Sequence, residues 1–105
     1  MKSMQVEGKD ILFDKDGFMT EPSLWNEIVA KSIAKEEGIE EMTEEHWKVV
    51  NFIRNYWKEN NLAPAVRLVC QEAGIGVRQL YKLFTSGPAR GACRVAGLPK
   101  PDGCV

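Results

Sequence analysis

Over residues 43–60 of this 105-residue chain, apolar side chains fall at positions 47, 49, 50, 52, 53, 56 and 57. A surface helix shows one apolar stripe, whereas an arc this wide needs cover on most sides. The segment is therefore expected to be the central helix, with the remainder of the chain supplying the layers around it. Thr43 is a suitable N-cap, and Glu44 and Glu45 complement the positive end of the helix dipole. At this length the chain builds one domain with one modest core.

Glycine and proline punctuate the rest. Val6, Gly8 and the run Ile11-Leu12-Phe13 read as short strands about a glycine turn, and Asp14-Lys15-Asp16-Gly17 is a second turn. That acidic turn is no calcium loop: with Gly17 at loop position 6, Leu12 and Ser23 stand where Asp and Glu are required. A first helix is predicted over residues 22–37, opened by Pro22 and closed by Gly38, and a third runs from Pro64 to Gly74. A fourth covers 77–84. The last starts at Gly87-Pro88, passes through Cys93 to about Ala96, and is closed by Gly97. The fold class is mainly α with some β: an orthogonal bundle of about five helices with an N-terminal β-hairpin, a helix-turn-helix-like corner and a mobile C-terminal arm. Residues 1–20 form the hairpin region, 21–96 the helical core and 97–105 the arm, together one domain.

No run of eighteen apolar residues exists, so no transmembrane helix is expected, and the N-terminus lacks the apolar stretch of a signal peptide. The expected location is the cytoplasm, where thiols are kept reduced. Residues 1–61 carry 8 Lys+Arg against 13 Asp+Glu, a balance of −5, while residues 62–105 carry 6 against 2, a balance of +4. A basic C-terminal part suits an anionic partner. With Gly74 as the turn glycine, the third and fourth helices match helix-turn-helix spacing, and Arg78, Gln79 and Lys82 line the second helix as possible nucleic-acid contacts. Helix–Gly–helix corners are common packing units, so DNA binding is a minor alternative rather than the main role.

Cys104 is the penultimate residue, where a core cysteine has no place. Cys93 stands eleven positions upstream, across a stretch rich in glycine and proline. That stretch can fold back to bring the two thiols together, and extended it spans roughly 35 Å. Thiolate is the reactive form and nearby cations favour it, which makes Arg90, Arg94 and Lys100 candidates for thiolate tuning or docking. Small residues at 87, 89, 91, 92 and 96 are expected to leave room for the arm along the last helix. Cys70, between apolar neighbours, is expected as a buried filler, and His46 as a partly exposed helix residue. Cysteine spacings of 23 and 11 match no structural zinc pattern, so no metal site is expected.

The segment 83–105, with its Gly97-Leu98-Pro99-Lys100-Pro101 run and penultimate Cys104, closely resembles the DsrC/TusE family, the gamma subunits of dissimilatory sulfite reductase and their sulfur-relay relatives. Glu44-Glu45-His46-Trp47, Ala63-Pro64-Ala65-Val66-Arg67 and Leu80-Tyr81-Lys82-Leu83-Phe84 also fit, so the resemblance covers nearly the whole chain. Possession of both Cys93 and Cys104, and the short Gly74-Ile75-Gly76 connection, resemble the sulfite-reducing branch. The resemblance implies a sulfur carrier and protein co-substrate rather than a stand-alone enzyme, with no cofactor of its own. Its implied partners are the siroheme-containing catalytic subunits DsrAB and a membrane-bound DsrMKJOP-type reductase. Cys104 would accept sulfur at siroheme and share it with Cys93 as a trisulfide. A TusE-like persulfide relay for tRNA thiolation, using Cys104 alone, is the alternative.

Overall fold

The computed structural model describes residues 2–87 and 91–99. The chain opens with an antiparallel hairpin, β1 (Lys2–Val6) and β2 (Lys9–Phe13), in register from Lys2 opposite Phe13 to Val6 opposite Lys9. Glu7 and Gly8 both have positive φ, at 51° and 79°, the two-residue turn whose twist suits a tight hairpin. Ile11 and Phe13 point into the core. The second turn forms as expected, with the Asp14 carboxylate accepting from the N–H groups of Asp16 and Phe18.

The helices are α1 (Glu27–Glu36), α2 (Glu44–Asn60), α3 (Val66–Ala73), α4 (Val77–Leu83) and the short α5 (Cys93–Val95). Helix α2 is central: α3 and α5 pack on it, α1 bridges α5 and β1, and α4 folds back on α3. Val49, Val50 and Ile53 of α2 are buried, while Trp47, Phe52 and Trp57 are partly covered. This is the wide arc of the sequence converted into packing. No helix among the described residues is long and apolar enough to cross a membrane.

The first predicted helix is corrected. Residues 22–24 make a single 3-10 turn, Trp25 and Asn26 are extended, and α1 begins only at Glu27, capped by the Asn26 side chain accepting from the Val29 N–H at 2.9 Å. Trp25 leaves the helical path, and its ring takes tertiary partners on α5 and α2. Helix α4 ends one residue earlier than expected, at Leu83.

His46 is also corrected: it is buried, only 7% exposed. Its Nδ1 accepts from the Thr43 N–H at 2.9 Å, closing a capping box in which histidine takes the place usual for Glu or Gln. Its Nε2 lies 3.0 Å from the Leu83 carbonyl, which can only accept, so Nε2 carries the proton. The ring meets Phe84 edge-on at 5.3 Å. One imidazole thereby joins the start of α2 to the end of α4. Replacing His46 by alanine strands both groups, and a loss of about 2–3 kcal/mol is expected. His46→Gln, which restores the cap, should cost about 1 kcal/mol. Urea unfolding checks both; equal losses would mean that the cap contributes nothing.

Candidate functional site

Cys93 opens α5 and is buried, 4% exposed, beside Ala92, Val95, Ala96 and Leu98, none of which is exposed by even 1%. The helix closes in a Schellman motif: Gly97, at φ 72°, donates to the Arg94 carbonyl at 3.0 Å, and Leu98 donates to the Cys93 carbonyl at 3.2 Å. The chain leaving α5 is therefore turned back within one hydrogen bond of the peptide of Cys93.

Two side chains from distant elements grip this turn. Trp25 Nε1 donates to the Val95 carbonyl at 2.8 Å. Arg54, 7% exposed on α2, donates through NH1 to the Ala96 carbonyl at 2.9 Å and to the Gly97 carbonyl at 3.5 Å, and through NH2 to the Pro22 carbonyl at 2.7 Å. Its guanidinium carbon lies 4.4 Å from the centroid of the Trp25 ring. Burial away from water lowers the Arg54 pKa, although three carbonyl dipoles and an aromatic face surround the charge. Gly97 fits because it has no side chain: a Cβ there would lie 2.1 Å from Trp25 Cδ1.

Arg94 holds the other side of α5. Its Nε donates to the Gly17 carbonyl at 2.6 Å, and its guanidinium pairs with Glu37 and, at 3.3 Å, with Glu36. Among the described residues the second Glu37 oxygen, Oε1, is buried without a hydrogen-bond partner, and the carboxylate faces a small cleft shared with Asp16, Ser86 and Arg94. Of the sequence-derived site residues, Cys93 and Arg94 sit together on α5, while Arg90, Lys100 and Cys104 lie outside the described residues. Arg78 and Lys82 are exposed and Gln79 half-buried on α4, away from this turn. The apolar groove at the α3–α4 corner is lined by Val66, Arg67, Cys70, Gln71, Gly74, Ile75 and Val77. Cys70 is accordingly half-buried at a surface groove, not the core filler expected. Ala92 and Ala96 are fully buried, and a Cβ on Gly91 would meet Phe84 and Glu37, while Ala89 and the arm beyond Pro99 expected to lie along this helix fall outside the described residues.

Sequence reasoning missed Arg54 and Trp25. The available signal for Arg54 was its position, four after Val50 and one after Ile53, inside the apolar arc. Among the described residues no group of three or more His, Cys, Asp or Glu side chains is gathered to hold a metal ion.

Comparison with known proteins gives these features a context. The family model described as "DsrC like protein" matches residues 5–105. The dissimilatory-type sulfite reductase subunit gamma of Nitratidesulfovibrio vulgaris is 38% identical over 105 residues, covering 100% of both chains. A sulfurtransferase TusE of Pectobacterium atrosepticum is 41% identical, over 97% of this chain and 99% of its own. The crystal structure of the oxidized gamma subunit of dissimilatory sulfite reductase (DsrC) from Archaeoglobus fulgidus superposes with TM-score 0.87 at 40% identity, covering 99% of this chain and 100% of that one. The hairpin-plus-five-helix architecture agrees with it.

Proposed function

The chain belongs to the family of DsrC-like proteins, and on that premise we propose that it is a sulfur carrier serving dissimilatory sulfite reductase as a protein co-substrate. Cys104 enters the siroheme-containing DsrAB subunits and takes up a partly reduced sulfur atom. Cys93 resolves the adduct, each thiol giving up one electron and one proton, and a trisulfide joins the two cysteines. A membrane-bound DsrMKJOP-type reductase returns it to two thiols and sulfide, a step that consumes four electrons and four protons. The protein works in the cytoplasm and holds no cofactor of its own.

The observation that carries this reading is the setting of Cys93. Its carbonyl accepts from the Leu98 N–H at 3.2 Å, and six residues beyond Leu98 comes Cys104. A tethered thiol starting there can return to Cys93 or travel outward. Arg94, with its charge met by Glu36 and Glu37, acts in this scheme as the tether that holds α5. Thiolate tuning falls to Arg90 and Lys100.

Intact-mass spectrometry after incubation with sulfite reductase, sulfite and reductant tests the proposal. Wild type should gain one sulfur atom and lose two hydrogens, and Cys93→Ser and Cys104→Ser should each abolish the trisulfide. An unchanged wild-type mass would overturn it. The TusE relatives support a second reading, a persulfide relay on Cys104 alone. Cys93→Ser separates the two, since relay to tRNA thiolation survives that change.

A further inference from the structure

The groove at the α3–α4 corner, about 640 Å³ in volume, is built apart from the cysteine of α5. Helix α5 packs on α1 and α2, whereas α3 and the start of α4 form the groove. Its floor is the half-buried Val66, Cys70 and Ile75, which pack on the core from outside, and its edge is the exposed Arg67, Gln71 and Val77. Val77 and Tyr81, 50% and 51% exposed, stand one turn apart on α4, so an apolar strip leads away from the groove along that helix. Exposed apolar side chains scattered singly need no explanation, but neighbours beside an apolar groove mark a surface that another molecule covers.

The charges at this corner select the partner. Over residues 62–87 the cations are Arg67, Arg78 and Lys82, against the single carboxylate of Glu72. Groove-lining positions 66, 67, 70, 71 and 74 share one side of α3, and Glu72 falls on the opposite side of the helix. Arg78 and Lys82, exposed and also one turn apart, run beside Val77 and Tyr81. We propose that the groove docks a short amphipathic helix of a partner protein: two apolar side chains one turn apart sit over Val66, Cys70 and Ile75, and flanking Asp or Glu side chains face Arg67, Arg78 and Lys82. The eight residues of α3 give the groove a length of about 12 Å, which matches about two turns of such a helix. A nucleic-acid duplex would meet the cations with phosphates but bring no apolar anchor to the floor. A second copy presenting this same face would set cations against cations. The site uses neither Cys93 nor Cys104, so its test is independent of the sulfur-carrier reading.

Cys70 serves as a reporter inside the groove. The full chain with Cys104→Ser is alkylated in the presence of a helical peptide of about twelve residues, with Leu pairs one turn apart and Glu elsewhere. The peptide should slow modification of Cys70 at least about fivefold at saturation, with a Kd below about 1 mM that weakens as salt rises. The same peptide with Lys for Glu should bind at least about tenfold more weakly, and one with Ser for Leu should give no protection. Val77→Asp should weaken the acidic peptide at least about tenfold, and Arg67→Glu combined with Arg78→Glu should turn the preference toward the Lys peptide. All three positions are exposed, and circular dichroism checks that the variants fold; if one does not, the comparison of peptides on the parent chain decides. Equal protection by the Glu and Lys peptides, or none by either, would overturn the proposal. So would protection by duplex DNA with none by the Glu peptide, which would make the corner a nucleic-acid surface. Protection that grows with protein concentration alone would overturn it too, by making the groove a contact between copies.

Discussion

Replacing Gly97 by alanine is expected to destabilise the protein by about 4 kcal/mol, against about 1 kcal/mol for the same change at Gly38. Both glycines close a helix in a Schellman motif with positive φ, 72° at Gly97 and 86° at Gly38, so both alanines meet the same backbone penalty. They differ in what surrounds the new methyl. At Gly38 nothing lies within 4 Å, whereas at Gly97 the methyl would stand 2.1 Å from Trp25 Cδ1 and 2.9 Å from Trp25 Cβ. A clash that extends to the root of a side chain is not relieved by rotating its far end. Trp25 must leave, and with it go the bond to Val95 and the stacking on Arg54. With a urea m-value of roughly 1.5 kcal/mol/M, the midpoint should fall by about 2–3 M for Gly97→Ala and by less than about 1 M for Gly38→Ala. A double-mutant cycle isolates the cause: in a Trp25→Ala background, Gly97→Ala should cost only the backbone penalty, about 1 kcal/mol. Equal costs in both backgrounds would show that Trp25 is not what forbids a side chain at position 97.

That coupling marks where the sequence is legible and where it is not. The wide apolar arc of α2, the hairpin turn at Gly8 and the closures at Gly38, Gly74 and Gly97 follow from local chemistry, and each stands in the structure where periodicity and turn preference put it. What failed to show were positions governed by partners far along the chain. Trp25 reads as one more apolar residue of a helix opened at Pro22, yet its indole N–H serves a carbonyl seventy residues away, and the helix breaks to let it. His46 reads as a partly exposed helix residue and nothing local marks Arg54 beyond its place in the apolar arc, yet each fills a buried position by giving both ends of its polar group a partner. Cys70 errs in the other direction: its apolar neighbours suggested burial, and the turn at Gly74 instead leaves it facing a groove. Cys104, singled out by placement alone, lies outside the described residues.

Alkylation of Cys93 in the native protein should be at least about 100-fold slower than that of Cys70, and the difference should vanish in denaturant. Cys70 is half-buried at an open groove, while Cys93 is 4% exposed and belongs to the buried core cluster with Ala92, Val95, Ala96 and Leu98. A bulk reagent reaches Cys93 only when α5 opens, and an opening free energy of about 3 kcal/mol suppresses the rate by about two orders of magnitude. Measured by peptide mapping in a Cys104→Ser background, equal native rates would mean that α5 packing gives Cys93 no protection. On the sulfur-carrier proposal, the distinction bears on how Cys93 would avoid the wrong partner. Small thiols such as glutathione meet a closed site and must wait for rare openings. On that proposal Cys104, six residues beyond Leu98 in the sequence, would meet such openings as an intramolecular thiol rather than a dilute one. Burial of Cys93 would then turn away free thiols without turning away one carried on the same chain.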